Sequence, residues 1–360
     1  MKTLSLLATI SAGVMALTLA SGALAAPPAK AAAAKVPRTA DGRPDFEGIW
    51  TNASLTTLER PPQYGERGVL TPAEVALLEK DRAASIENGN RNTDPKATTQ
   101  DISSSCDLKG FSTGADCAYN QGWTDPGDTV MTVAGQKRSS FITTTPNGRM
   151  PAMVPGGADK VAAAGRRGLK PGMNAFDNPE TRSLAERCLT SFGTSAGPVM
   201  LPLLYNNNYA FAQTKDEVAI WVEMVHDVRH IRIGGKHLPA DVKLWMGDSI
   251  GWWEGDTLVA ETTNYNPSQY FRGASANLKV TERFTRVSKD RILYQFKVED
   301  PTVWTQAWGG EYEFGASKGQ IYEYACHEGN YALEGILAGA RADEADAKAK
   351  TALAEPAKLK

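Results

Sequence analysis

Residues 217–233, EVAIWVEMVHDVRHIRI, are the strongest indication of β-structure in the chain. β-Branched and aromatic side chains dominate this stretch, and apolar residues recur at every second position, as in a strand with one buried face. Strict alternation puts His226 on the apolar face with Ile220 and Val222. Arg229 falls on the opposite face, so a role for it inside the protein requires a β-bulge or a position at the rim. The sequence therefore predicts a histidine in the interior, where a core strand would carry a hydrocarbon side chain.

Runs of the same kind surround this stretch between residues 205 and 329: YNNNYAFAQT, IGWWEG, DTLVAETTNYN, LKVTERFTRV, RILYQFKVED, GEYEFG and QIYEYACHEG. The turns between them are short and leave no room for the helices of parallel crossovers. Upstream, Gly48-Ile49-Trp50 is a Gly-x-Trp that enters a strand, a lipocalin-like feature. We therefore predict a mainly β fold, an antiparallel meander that closes into a lipocalin-like β-barrel with a few peripheral helices. A stacked β-sandwich is the alternative.

The rest of the chain is organised around this barrel. Residues 1–25 have the lysine, apolar run and small-x-small site of a signal peptide. An Ala/Pro/Lys linker (26–40), a single barrel domain (41–335) and a charged helical or disordered tail (336–360) follow. The barrel domain carries a long irregular insertion around 91–175, and before it Thr71-Pro72-Ala73-Glu74 has the capping box of a helix start.

The composition of the chain limits which cellular compartments and which classes of partner are expected. A formal net charge of −2 and a pI near 6.2 argue against a nucleic-acid partner, and no segment after the leader is apolar enough to span a membrane. Export predicts a periplasmic or secreted protein. Four cysteines, an even number, fit an oxidising compartment. Cys106–Cys117 and Cys188–Cys326 form the simplest of three possible disulfide pairings.

Polar residues also fall on the apolar faces of other predicted strands. Glu282 lies among hydrophobic residues in LKVTERFTRV, and Tyr294 faces inward in RILYQFKVED. If QIYEYACHE is a strand, Glu323 and His327 share one of its faces. A buried unpaired carboxylate costs several kcal/mol, so these groups are expected to pair with one another, with arginine or with a ligand.

These inward residues predict a site in the lumen of the barrel. Desolvation moves the pKa values of a buried Glu and a buried His toward neutrality, where proton transfer is most effective. The predicted catalytic residues are His226, Glu282 and His327. The predicted substrate-binding residues are Arg229, His237, Glu323, Tyr294 and Tyr331.

Alternatives exist for each of these side chains. His226 is also compatible with a satisfied core histidine, and Glu282 with a salt bridge to an inward arginine. The tryptophans (Trp245, Trp252, Trp253, Trp304 and Trp308) are interpreted as core and rim side chains rather than a ligand box. The sequence contains no phosphate loop and no dinucleotide fingerprint, so no organic cofactor is predicted.

A divalent metal is the sharper alternative. His226 and His230 would lie about 13 Å apart along a strand and cannot chelate one ion together. His226 and His327 with Glu282 or Glu323 could meet across the lumen and hold a metal instead.

Long motifs in the chain carry a family resemblance. These motifs resemble those of a family of exported bacterial proteins of unassigned function: PDFEGIW (44–50), EMVHDVR (223–229), HLP (237–239), WMGDS (245–249), WEGDTLV (253–259), LKVTERF (278–284) and CHEGNY (326–331). The resemblance implies no activity. It places these residues inside family motifs: His226, Asp227, Arg229, His237, Asp248, Glu282, His327, Glu328, Asn330 and Tyr331.

The sequence thus predicts an exported barrel that binds a small molecule. The leading hypothesis is a lyase, isomerase or hydrolase that uses lumen His and Glu groups on an aromatic or carbonyl compound. A non-catalytic carrier of a small hydrophobic ligand and a metal-dependent enzyme are the alternatives.

Overall fold

The computed structural model describes residues 36–89, 96, 124–165, 172–191 and 197–354. Four predicted features lie wholly or partly outside these residues: the signal peptide (1–25), the linker (26–40), the Cys106–Cys117 disulfide and the 91–175 insertion. The described residues belong to one compact unit.

Strands dominate the described part of the chain. The helices are α1 (Pro72–Gly89), α2 (Gly157–Gly165) and α3 (Tyr331–Ala354). The strands are β1 (Gly48–Thr51), β2 (Thr132–Val133), β3 (Gln136–Lys137), β4 (Asn208–Gln213), β5 (Glu217–Val222), β6 (Val228–Ile233), β7 (Asp248–Glu254), β8 (Thr257–Thr263), β9 (Lys279–Arg286), β10 (Arg291–Glu299) and β11 (Trp308–Ala316).

Nine of these strands close into a barrel in the order β1-β11-β10-β9-β8-β7-β6-β5-β4, and β1 pairs with β4 to complete the ring. The predicted mainly β barrel with few peripheral helices is confirmed. Neighbouring strands are antiparallel except β6 and β7, which are parallel. The residues between them, 234–247, form a connection long enough to return the chain to the other end of the barrel.

Period-two alternation builds the interior. Every second residue of β9 and β10 is buried, and Tyr294 pairs across the sheet with Phe284 on one side and Tyr312 on the other. Each such ring contributes about 1.5–3 kcal/mol through its burial. Inward-facing aromatic residues fill the barrel: Trp50, Tyr209, Phe211, Phe284, Tyr294, Phe296, Trp308, Tyr312 and Phe314.

One end of the barrel is closed by the segment that precedes β1. The ring of Phe46 is fully buried and stacks on Trp253 with centroids 5.9 Å apart. The guanidinium of Arg286 lies 4.5 Å from the centroid of the Trp50 ring. The Gly48-x-Trp50 motif therefore lies on the first barrel strand, as the sequence predicts.

The segment 321–328, predicted as the last strand, has no strand structure, and this prediction is wrong. β11 has no free edge for it, because β1 pairs with β11 at Ala316 and Ile142 bridges to Gly310. The segment is held instead by the Cys188–Cys326 disulfide, which confirms that predicted pairing.

The predicted helix start is also confirmed. The Thr71 backbone N–H donates to Glu74 Oε2 (2.8 Å), and the Glu74 N–H donates to Thr71 Oγ1 (3.3 Å). Val75 then packs into a small second core with Leu55, Leu70 and Val130. In the described tail, α3 is helical, and none of the described helices is both long and apolar enough to cross a membrane.

Candidate functional site

The chain breaks its strand between β5 and β6. Residues Met224–His226 form a 3-10 turn in which Val225 (φ 59°) and His226 (φ 47°) both adopt left-handed backbone conformations. The Val222 N–H donates to the Asp227 carbonyl (2.8 Å) and closes the turn. Alternation restarts at β6, so Arg229 faces inward and His226 is exposed. The predicted inward position of His226 is therefore wrong, and the irregularity that an inward Arg229 requires is present.

Arg229 joins a polar network inside the barrel. Its Nη1 donates to Glu282 Oε1 (3.0 Å), and its Nη2 donates to Glu282 Oε2. The Arg229 guanidinium also donates to Ser249 Oγ and Thr262 Oγ1, each at 3.1 Å, and the Tyr294 hydroxyl donates to Glu282 Oε1 at 2.7 Å. These five side chains, one from each strand β6 to β10, are called the Glu282 network below.

The Glu282 network is buried, and its members pair with one another. The side chains of Arg229 and Glu282 are 2% and 0% exposed. Burial disfavours the Arg229 charge, but the adjacent Glu282 carboxylate outweighs it and raises the pKa of Arg229. Burial, reinforced by the charge of Glu282, raises the pKa of Tyr294 well above its usual range, so the phenol stays protonated and donates. Of the two interpretations of Glu282, the salt bridge to an inward arginine is the one observed.

The interior next to Tyr294 is occupied by the protein's own chain. Val199 and Met200 are fully buried, and the Met200 N–H donates to the Tyr294 hydroxyl oxygen (3.3 Å). The Met200 carbonyl accepts from Asn52 Nδ2 (3.4 Å) and from the Tyr312 hydroxyl. A ligand beside the Glu282 network therefore has to lie on a different side from Met200.

An aromatic cluster adjoins the network through β10. Trp308 stacks on Phe271 with centroids 5.9 Å apart and meets the edges of Phe296 (6.1 Å) and Trp304 (5.5 Å). These four rings are called the Trp308 cluster. Phe296 is the cross-strand partner of Glu282, so the cluster is continuous with the Glu282 network.

Three buried donors, two in this cluster and one beside Thr262 of the Glu282 network, have no hydrogen-bond acceptor among the residues that the structure describes. They are the indole Nε1 atoms of Trp304 and Trp308 and the hydroxyl of Tyr265. All three side chains are at most 2% exposed. The Tyr265 hydroxyl lies near Thr262 without a hydrogen bond of good geometry, and burial raises its pKa well above the usual range. Each unsatisfied buried donor costs about 1–3 kcal/mol, so three together call for an explanation.

The two predicted catalytic histidines lie on the surface. The His226 Nδ1 atom is 3.2 Å from the Tyr324 carbonyl oxygen, which can only accept, so Nδ1 donates in this contact and Nε2 takes no part in it. His327, Glu323 and Tyr331 are exposed. Their predicted place in the lumen is wrong, because the segment 321–328 that carries Glu323 and His327 is not a barrel strand and Tyr331 begins α3.

Asp227 helps to fix the turn that presents His226. Its Oδ2 accepts from the Thr190 hydroxyl at 3.1 Å, and burial raises the pKa of this carboxyl despite that bond and one from the Ser191 backbone. The turn is therefore anchored to the residues around Cys188 through Asp227 and to the residues around Cys326 through His226.

His237 lies outside the lumen and holds the β6–β7 connection. Its Nδ1 is 2.9 Å from Asp248 Oδ2 and its Nε2 is 3.3 Å from Glu261 Oε1. Asp248 also accepts from Arg232 (2.8 Å) and from the Leu238 N–H (2.9 Å). Burial opposes the ionisation of Asp248, but these donors outweigh it and lower its pKa.

No group of three or more His, Cys, Asp or Glu side chains with metal-binding geometry occurs among residues 36–89, 96, 124–165, 172–191 and 197–354. Of the two predicted ligand sets, the one with Glu282 is divided, since Glu282 is buried whereas His226 and His327 are exposed. The other set, His226 and His327 with Glu323, forms no such group in the described part of the chain.

Comparison with protein-family models, with curated proteins and with solved structures finds no match to this chain. The resemblance of its motifs to a family of exported bacterial proteins therefore stays a prediction.

Sequence reasoning placed Glu282 and Tyr294 inside the barrel but missed Ser249, Thr262 and Tyr265. Thr262 carried a usable signal, because it alternates with Leu258 and Ala260 on the apolar face of β8. Tyr265 follows the end of β8 and carried none.

Proposed function

We propose that this protein is an exported β-barrel that binds a small organic molecule inside the barrel, beside the Glu282 network. The observation that carries the proposal is the convergence of polar side chains from five neighbouring strands within an interior otherwise lined by aromatic and aliphatic groups. An apolar enclosure with a few convergent polar groups is the usual form of a small-molecule site.

The geometry favours binding over acid–base catalysis at Glu282. Both of its carboxylate oxygens are engaged by Arg229, and one also accepts from Tyr294. A carboxylate in this state orients a neighbouring molecule but has no free oxygen to take a proton. The carrier hypothesis therefore comes before the lyase, isomerase or hydrolase hypothesis.

Catalysis is the second candidate, and the geometry of His226 favours it. Two successive left-handed residues, one of them β-branched Val225, store strain of about 1–3 kcal/mol each, which is typical of functional sites. The strained turn presents an imidazole whose Nε2 takes no part in the contact with the Tyr324 carbonyl. In this hypothesis His226 removes a proton from an aromatic or carbonyl compound at the surface.

Export rests on two supports. The Cys188–Cys326 disulfide fits an oxidising compartment, and the first 25 residues have the pattern of a cleaved leader. A periplasmic or secreted location is part of the proposal.

Native mass spectrometry of the protein purified from an exporting host tests the binding function. We expect a bound mass that is released on denaturation. Thr262→Val, which removes one inward hydroxyl from β8, should lower the retained fraction. Thr281→Val, an outward position on neighbouring β9, is the matched control and should not. Absence of any retained compound, or equal retention in the two variants, would contradict the proposal.

The released compound also separates the two candidates. If the wild-type protein converts it, His226→Ala should abolish conversion and leave retention unchanged. Persistent conversion by His226→Ala would remove His226 from the mechanism. A compound recovered unchanged after incubation with the wild-type protein favours the carrier.

A further inference from the structure

We infer that the Trp308 cluster together with Tyr265 is a binding site for a neutral, flat molecule that carries carbonyl oxygens. The inference rests on the proposed function and names the class of its ligand. It starts from the three buried donors of Trp304, Trp308 and Tyr265, which find no acceptor in the described part of the protein.

The donors restrict the polar atoms of the ligand. An indole N–H donates and cannot accept, so Trp304 and Trp308 can be satisfied only by an acceptor. The Tyr265 phenol, whose pKa burial raises, is held in its protonated form and is available as a third donor. A ligand that is itself rich in N–H or O–H groups would leave these donors unpaired, whereas carbonyl oxygens satisfy them.

The rings restrict the shape of the ligand. Trp308 and Phe271 are nearly parallel, with an interplanar angle of 18°, and Trp304 stands almost perpendicular to Trp308 at 80°. Flat rings pack favourably against such walls, in stacked or edge-to-face contact. A planar body packed against these rings also excludes water from the carbonyl contacts.

The charges restrict the ligand further. Arg229 is the arginine of the Glu282 network, and Glu282 neutralises it through two hydrogen bonds. A carboxylate entering this buried site would have to give up its hydration without a free counter-ion, which disfavours anionic ligands. A neutral carbonyl needs only the donors already present.

Three naphthalenes that differ in one substituent test the class: 2-acetonaphthone (a ketone), 2-ethylnaphthalene (no acceptor) and 2-naphthoate (an anion). Isothermal titration calorimetry with the full mature chain should show the ketone binding at least about tenfold more tightly than the other two. Trp308→Phe should weaken the ketone by about three- to tenfold and leave 2-ethylnaphthalene nearly unchanged. Trp252→Phe is the control, because the exposed Trp252 already donates to Glu254.

A second measurement does not depend on any ligand. Tyr265→Phe removes a hydroxyl without a partner, so the melting temperature of the unliganded variant should stay level or rise. Tyr294→Phe removes a hydroxyl bonded to Glu282 and should lower the melting temperature. Equal losses in the two variants would show that the Tyr265 hydroxyl is satisfied within the protein, by an ordered water for example, and would overturn the inference.

The outcomes also separate this inference from the proposed function. Equal affinity for the ketone and 2-ethylnaphthalene keeps a binding barrel but refutes the carbonyl class. Preference for 2-naphthoate makes the site an anion site, with the exposed Arg272 as the candidate counter-ion. Failure of all three probes to bind overturns the ligand class, while the proposed function is still decided by the mass retained in the native protein.

Discussion

The Glu282 network and the Trp308 cluster are both buried and adjoin each other on β10, which carries Tyr294 of the network and Phe296 of the cluster, yet their polar atoms are paired differently. In the network, Arg229, Glu282 and Tyr294 pair with one another inside the protein. In the cluster, the N–H groups of Trp304 and Trp308 have no acceptor in the described chain. Burial of paired polar groups is therefore tolerated in the Glu282 network, whereas burial of unpaired N–H groups destabilises the Trp308 cluster. Of the two, only the Trp308 cluster calls for an acceptor supplied by another molecule.

The largest expected effect comes from breaking the buried ion pair. Glu282→Ala leaves the Arg229 charge buried without its partner and should lower the free energy of unfolding by about 3–5 kcal/mol. Urea unfolding followed by circular dichroism measures it. Glu254→Ala is the matched control, since it breaks the exposed pair with Arg283 and should change stability little. A similar small loss in both variants would mean that the network does not hold the barrel together.

A pair of tryptophans gives the next largest difference. Trp50 and Trp308 are both buried, but Trp50 Nε1 donates to the Phe46 carbonyl at 2.9 Å while Trp308 Nε1 has no described acceptor. Replacement by phenylalanine reduces the volume of the ring at both positions, but it removes a hydrogen bond only at Trp50. In the unliganded protein Trp50→Phe should therefore cost about 1 kcal/mol more than Trp308→Phe. Equal free energies of unfolding would remove the distinction between the two regions.

The smallest expected effects concern two aspartates with pKa shifts of opposite sign. Donors hold the pKa of Asp248 below its usual value, so its contribution to stability is complete above about pH 3.9 and is lost as the pH falls toward the lower folded value. Burial raises the pKa of Asp227, so stability falls as the pH rises from about 3.9 through the raised folded value.

Melting temperatures between pH 2.5 and pH 7, about the range in which carboxyl groups titrate, check both signs. Asp248→Asn should flatten the loss on the acid side. Asp227→Asn should flatten the decline in melting temperature above about pH 3.9, which is the pKa of an unperturbed aspartate. Curves parallel to that of the wild type would contradict the corresponding shift.

The positions predicted correctly are those that depend on one strand at a time. Glu282 and Tyr294 lie inside the barrel because each continues the alternation of its own strand without interruption. His226 was misplaced because the same rule was carried through Val225, whose left-handed backbone interrupts it. A β-branched residue gives no warning of that conformation, since it is among the residues least suited to it.

Four features were predicted correctly from the sequence alone: the closed barrel, favoured there over a sandwich, the capped start of α1, the Cys188–Cys326 pair and an acid among the inner side chains of β9. These follow from alternation, turn composition and spacing, which act over a few residues or through a single covalent bond. Three other features could be read only from the folded structure. Arg229 is the partner of Glu282, and the segment around His327 lies outside the barrel. The donors of Trp304, Trp308 and Tyr265 have no acceptor among the described residues. Each of these depends on which strand edges and hydrogen-bonding atoms already pair with residues distant in sequence. A local sequence pattern does not contain that information.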